Sequence, residues 1–80
     1  MYSDKIKEIL AQHGKLSLDV NTLTDTSNLY DAGLTSLATV NVMLAIEDTF
    51  DVEFADSMLN RKTFQSIDAL VEALEELTAS

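Results

Sequence analysis

Residues 31–50 read DAGLTSLATVNVMLAIEDTF, and this stretch decides the fold. Gly33 supplies a turn that delivers Ser36 to the start of a helix. From Ser36 to Phe50 neither glycine nor proline intervenes and the apolar residues recur at helical spacing, so a helix is predicted over 36–50. A hydroxyl at such a start is exposed. The unpaired backbone N–H groups and the positive dipole end beside it favour an attached phosphate.

On a wheel of about 100° per residue with Ser36 at zero, Thr39, Val42, Met43, Ile46 and Phe50 fall between roughly 240° and 340°, a face suited to a core. Leu37, Val40 and Leu44 form a second apolar stripe between roughly 40° and 100°, interleaved with Glu47 and Asp48. Two readings of this stripe are open. The loop before the helix can cover it, as apolar residues are usually buried. Alternatively it is a docking strip, apolar at its centre and acidic at its edge, that positions whatever is attached to Ser36 inside a partner.

Working outward, Ser3 caps a first helix over about 3–13 with Ile6, Ile9 and Leu10 on one face, and Gly14 closes it in a left-handed turn. Residues 14–35 then form a long loop rich in Asp, Asn, Ser and Thr. A structureless loop of about 20 residues needs anchoring, and Leu16, Leu18, Val20, Leu23, Leu29 and Leu34 are its candidate anchors. Beyond the central helix a short helix is expected over about 56–60. Thr63 then caps a last helix over about 64–78, in which Phe64, Ile67, Leu70, Val71, Leu74 and Leu77 recur against Asp68, Glu72, Glu75 and Glu76. The expected architecture is all-α: a small four-helix bundle with three main helices, one short helix and a long first loop, in one domain over 1–80.

Eighty residues bury only about 60 to 65% of the surface of the unfolded chain, which disfavours a deep catalytic cavity and favours work done on the surface. Fourteen acidic residues against five basic ones give a net charge of −9, which opposes binding to nucleic acid or to an anionic membrane. The charge either steers the domain toward basic patches on other proteins or keeps it soluble. No cysteine is present, so a disulfide framework and thiolate metal sites are excluded. The first residues lack a continuous apolar run, and a soluble, cytoplasmic monomer is expected.

Other chemistries find little support. A serine hydrolase requires a base within hydrogen-bond reach of Ser36, and the sole histidine, His13, reads as a helix C-terminal residue that favours the dipole. Glu47, Asp48, Asp51, Glu53 and Asp56 cluster in sequence but lack the alternating ligands and glycine of a calcium loop, so no metal site is assigned. Arg61 and Lys62, the adjacent basic pair, read as ordinary helix-end cations.

The run Asp31-Ala32-Gly33-Leu34-Thr35-Ser36-Leu37, followed by Val40, Leu44, Glu47, Asp48 and Phe50, resembles the attachment segment and recognition helix of acyl carrier proteins. The likeness implies a carrier without catalytic activity. In that family a phosphopantetheinyl transferase joins 4'-phosphopantetheine from coenzyme A to the serine, here Ser36, and the arm's thiol holds an acyl or aminoacyl group as a thioester. Partner contacts would then fall on Leu37, Val40, Asn41, Leu44, Glu47 and Asp48. Carriers of fatty acid synthesis have acids where this chain has Thr35, Ala38 and Asn41. The stretch from Phe54 to Phe64, with Ala-Gly-Leu-Thr-Ser ahead of it, resembles instead stand-alone carriers charged by amino acid-activating ligases, and this likeness adds Arg61 as a ligase contact, with downstream transferases as further partners. The rival reading is a non-covalent acidic adaptor that docks through the Leu37, Val40 and Leu44 stripe without a prosthetic group.

Overall fold

The computed structural model describes residues 2–14, 16 and 19–78. Three α-helices, α1 (Tyr2–His13), α2 (Ser36–Phe50) and α3 (Ile67–Thr78), are joined by segments with short 3-10 turns at Val20–Thr22 and Asp56–Met58. No strand occurs among the described residues. Helix α1 packs against both α2 and α3. Its buried residues are Ile6, Ile9 and Leu10, the face set by their spacing.

Two of the expected helix-end devices differ. Ser3 lies inside the first turn of α1, which already begins at Tyr2. Tertiary contacts extend it: the Tyr2 ring meets Phe50 edge-on at 5.4 Å, and its hydroxyl hydrogen-bonds the Thr78 hydroxyl at 2.9 Å. Gly14 does close α1, its N–H donating to the Leu10 carbonyl at 2.8 Å, but without a left-handed φ. Glycine is needed there for space, since a Cβ would approach the Leu10 carbonyl oxygen to 2.7 Å.

The loop between α1 and α2 is anchored by its own side chains. Leu29 and Leu34 are buried in the core and Val20 joins them, while Leu16 and Leu23 pack against it half-buried. Leu18 lies outside the described residues. Burying a leucine of this kind contributes about 1.5 to 3 kcal/mol, enough to offset the ordering of its own residue. Two backbone hydrogen bonds complete the attachment: the Leu29 N–H donates to Gln65 O at 2.7 Å and the Asp68 N–H donates to Asp25 O at 3.0 Å.

Those bonds also relocate the start of the last helix. Thr63, the expected cap, instead gives its N–H and hydroxyl to Asn60 Oδ1 at 3.1 and 3.3 Å. Ser66 caps α3, its Oγ accepting from the Ala69 N–H at 3.1 Å. Phe64, expected on the helix, belongs to the preceding turn, where it is buried and its ring lies 5.5 Å from that of Phe54. The Gln65 carbonyl is spent on the loop, so regular helix begins two residues later, at Ile67. The short helix expected over 56–60 is a single 3-10 turn, Asp56–Met58.

Removing the Ser66 hydroxyl (Ser66→Ala) is expected to destabilise the protein by about 1 kcal/mol, whereas Thr63→Ala costs only a few tenths, because an N-cap hydroxyl is worth that much more than an exposed side-chain bond. Urea unfolding midpoints of the two variants measure the difference.

Candidate functional site

The site is built around the first turn of α2. Asn28 Oδ1 accepts from the N–H groups of Tyr30 and Asp31 at 2.9 and 3.2 Å, which starts a tight turn. Gly33, at φ 112°, ends it. The Leu34 N–H then reaches back to Leu29 O at 3.0 Å, the six-to-one closure of a Schellman-type turn. With Leu29, Ala32 and Leu34 buried, the chain leaves this turn in one direction, and α2 begins two residues on.

Thr35 is the N-cap of α2. Its backbone is extended (φ −99°, ψ 165°) and its Oγ1 accepts from the Ala38 N–H at 3.1 Å. Ser36 is therefore the first helical residue. It is exposed, and its Oγ makes no hydrogen bond to another described residue. The N–H groups of Ser36 and Leu37 are among the helix's orphan donors, since the Thr35 hydroxyl takes only that of Ala38.

The side chains flanking Ser36 divide sharply. Ala38, Val42 and Ile46 are buried in the core, while Leu37, Val40 and Leu44 are 76%, 48% and 53% exposed. The loop does not cover this stripe, because its leucines turn inward under α2 rather than across it. The core face also differs from the one the wheel suggested: it centres on Ala38, Val42 and Ile46, with Thr39, Met43 and Phe50 half-buried at its edge. Small Ala38 and Ala45 let α2 approach the core on a side where a larger apolar residue would have been the stronger sequence signal.

Half-buried Met43 and Thr39 line a groove beside Ser36. Its volume is about 400 Å³, and Tyr30, Val40, Arg61 and Phe64 share its lining with Ser36. Arg61 lies across the Tyr30 ring, its guanidinium carbon 3.9 Å from the ring centroid. Arg61 and Lys62 occupy the turn that follows Asp56–Met58 and precedes α3, and the Arg61 guanidinium is placed on the Tyr30 ring rather than on a helix-end carbonyl. Tyr30 was not singled out in the sequence, where it is far from Arg61 and nothing links the two.

Asn41 and Asp48 are exposed on α2. They border a shallow depression with Leu44 and His13. Ser36 is not part of that depression, so His13 and Ser36 do not meet as base and nucleophile. Glu47 has a task within the fold. Its Oε2 accepts from the Phe54 N–H at 2.9 Å, which ties the segment after α2 back onto the helix. That segment leaves through Asp51 in a left-handed conformation (φ 53°, ψ 51°), and the Val52 N–H donates to Glu47 O at 3.1 Å.

The first turn of α2 thus presents an exposed serine at the start of a capped helix, beside spare apolar side chains and an open groove. A family model described as the phosphopantetheine attachment site matches residues 4–74. The chain belongs to this family of carrier proteins. An aminoacyl carrier protein of Agrobacterium fabrum is 50% identical over 70 residues, covering 88% of this chain and 84% of that protein. A carrier protein from Agrobacterium tumefaciens, crystallised with an engineered Bradyrhizobium japonicum glycine:[carrier protein] ligase and ATP, superposes with a TM-score of 0.91 at 46% identity, covering 95% of this chain and 99% of that one. A holo acyl carrier protein of Nitrosomonas europaea matches with a TM-score of 0.87 at 28% identity, covering 100% of this chain and 99% of that one.

The carrier's prosthetic group is thus 4'-phosphopantetheine, and its work is to hold an acyl or aminoacyl group for other enzymes. Carrier proteins of this kind are generally not catalysts. No helix among the described residues is long and apolar enough to cross a membrane.

Replacing the cap by Thr35→Ala is expected to cost about 1 kcal/mol, while Thr35→Asp, which restores an acceptor and adds a negative charge at the helix N-terminus, recovers most of it. Thermal unfolding of both variants against the parent checks the order.

Proposed function

We propose that Ser36 carries the phosphopantetheine arm and that this chain is a stand-alone carrier charged with an amino acid by an activating ligase. The observation that carries the first half is the exposure of the Ser36 hydroxyl at the first residue of α2. The residues suit the group: a phosphodiester there would lie beside two orphan N–H donors and the positive end of a helix of 15 residues. Once attached, the group supplies a flexible arm ending in a thiol that bears the cargo as a thioester.

The chain's own residues present and position that arm. Leu37, Val40 and Leu44, exposed on α2, offer apolar area to a partner, and Asn41, Glu47 and Asp48 give that surface a polar and acidic margin with Arg61 at its far side. Glu47 contributes there only with the carboxylate oxygen that Phe54 leaves free. A phosphopantetheinyl transferase, an amino acid-activating ligase and downstream transferases are the partners this surface serves. The second half of the reading is supported by the aminoacyl carrier protein at 50% identity and by the solved complexes of related carriers with glycine:[carrier protein] ligase.

In this reading the chain performs no catalytic step and works as a cytoplasmic monomer. The division of labour follows from its size. Its apolar residues are used to fix the three helices and the loop, and the hydroxyl remains on the outside, where separate enzymes reach it.

Incubation with coenzyme A, magnesium and a broad-specificity phosphopantetheinyl transferase is expected to raise the intact mass of the wild type by one phosphopantetheine and to leave Ser36→Ala unchanged. Modification of Ser36→Ala to the same extent would remove Ser36 from this role.

A further inference from the structure

The groove beside Ser36 has an unusual charge pattern for so acidic a chain. Fourteen carboxylates are distributed over eighty residues, yet none lines this groove, and Arg61 is the one cationic side chain that does. The groove's other polar groups are largely committed. The Thr39 hydroxyl donates to Thr35 O at 2.8 Å. Asn60 uses both ends of its amide, donating to Ser57 O at 2.8 Å and accepting from the Thr63 N–H at 3.1 Å. Arg61 makes no ion pair and no side-chain hydrogen bond among the described residues, its guanidinium resting on the Tyr30 ring. Lys5 and Lys7, by contrast, are paired with Glu8 and Asp25 at 3.7 and 3.8 Å on another side of the molecule.

We propose that Arg61 is the counter-ion of the phosphodiester joining the arm to Ser36. It would hold the root of the arm toward the groove, in line with Tyr30 and away from the Leu37 and Leu44 edge. The inference rests on Ser36 being the attachment residue. A phosphodiester carries one full negative charge at neutral pH, and a planar guanidinium offers it two parallel N–H donors. Stacking on Tyr30 restricts the long side chain beforehand, so less rotamer freedom is lost when the pair forms. The Ser36 and Leu37 N–H groups would meet the same charge from the helix side. The arm's root would then be gripped between helix start and guanidinium. A partner that supplies its own cations would compete with Arg61 and draw the arm out.

Arg61 is exposed, so the pair is expected to be weak and sensitive to salt. It is tested on the holo protein, with its single phosphopantetheine first located on Ser36 by mass. The first readout needs no variant: the Arg61 Nε–H resonance is compared between apo and holo wild type, with a displacement expected on modification. The second is the phosphorus resonance of the holo form. It should move in Arg61→Gln, move less in Arg61→Lys, and stay in place in Lys62→Gln. Raising the ionic strength toward 1 M, where the screening length is about 3 Å, should bring the wild type toward the Arg61→Gln position. A modified protein whose Arg61 resonance is unchanged, and whose phosphorus resonance coincides in wild type, Arg61→Gln and Lys62→Gln, overturns this inference alone. A chain that takes no phosphopantetheine on Ser36 overturns both it and the attachment reading.

Discussion

Everything the site does depends on one constraint, the fixing of residues 25–34 against the start of α3. The Leu29 N–H on Gln65 O and the Asp68 N–H on Asp25 O tie the two segments together, and the burial of Leu29, Ala32 and Leu34 keeps them there. Because these apolar residues point inward, the turn ending at Gly33 emerges at the surface in a defined direction. Thr35 then caps α2 with an uncharged hydroxyl. Without the anchored turn, the first turn of α2 would fray, since its N–H groups have no partners of their own within the helix. The exposed hydroxyl of Ser36 is a consequence of what is buried on either side of it.

The same economy explains the two faces of α2. A bundle of three helices cannot enclose all sides of α2, and here the enclosed side is the one with small residues, Ala38 and Ala45, next to Val42 and Ile46. The opposite side keeps Leu37, Val40 and Leu44 in solvent. Exposed apolar area of this kind is a cost in an isolated domain and an asset in one that must be recognised repeatedly. Glu47 sits between the two roles, one carboxylate oxygen fixing Phe54 and the other left to solvent or a partner.

Much of this was legible in the sequence. The limits of α2 follow from unbroken helical spacing, the inward leucines of the loop from the need to anchor it, and Ser36 from the turn and helix that bracket it. What was not legible depends on contacts between distant segments. Thr63 and Ser66 are both hydroxyl residues ahead of one apolar run, and local pattern alone does not choose between them. The choice is made by Gln65, whose carbonyl is committed to Leu29. Small Ala38 and Ala45 hid the true core face, because a wheel weighted toward large side chains places its centre near Ile46 and Thr39 rather than at Val42. The pairing of Arg61 with Tyr30 has no local signature at all.

The most direct test of the account is fragmentation mass spectrometry of the wild-type chain after transfer from coenzyme A, read for the residue that bears the added phosphopantetheine. The account predicts the whole modification on fragments that contain Ser36. Finding it on another hydroxyl, such as Thr35 or Ser57, or finding none after treatment with several transferases, would contradict it.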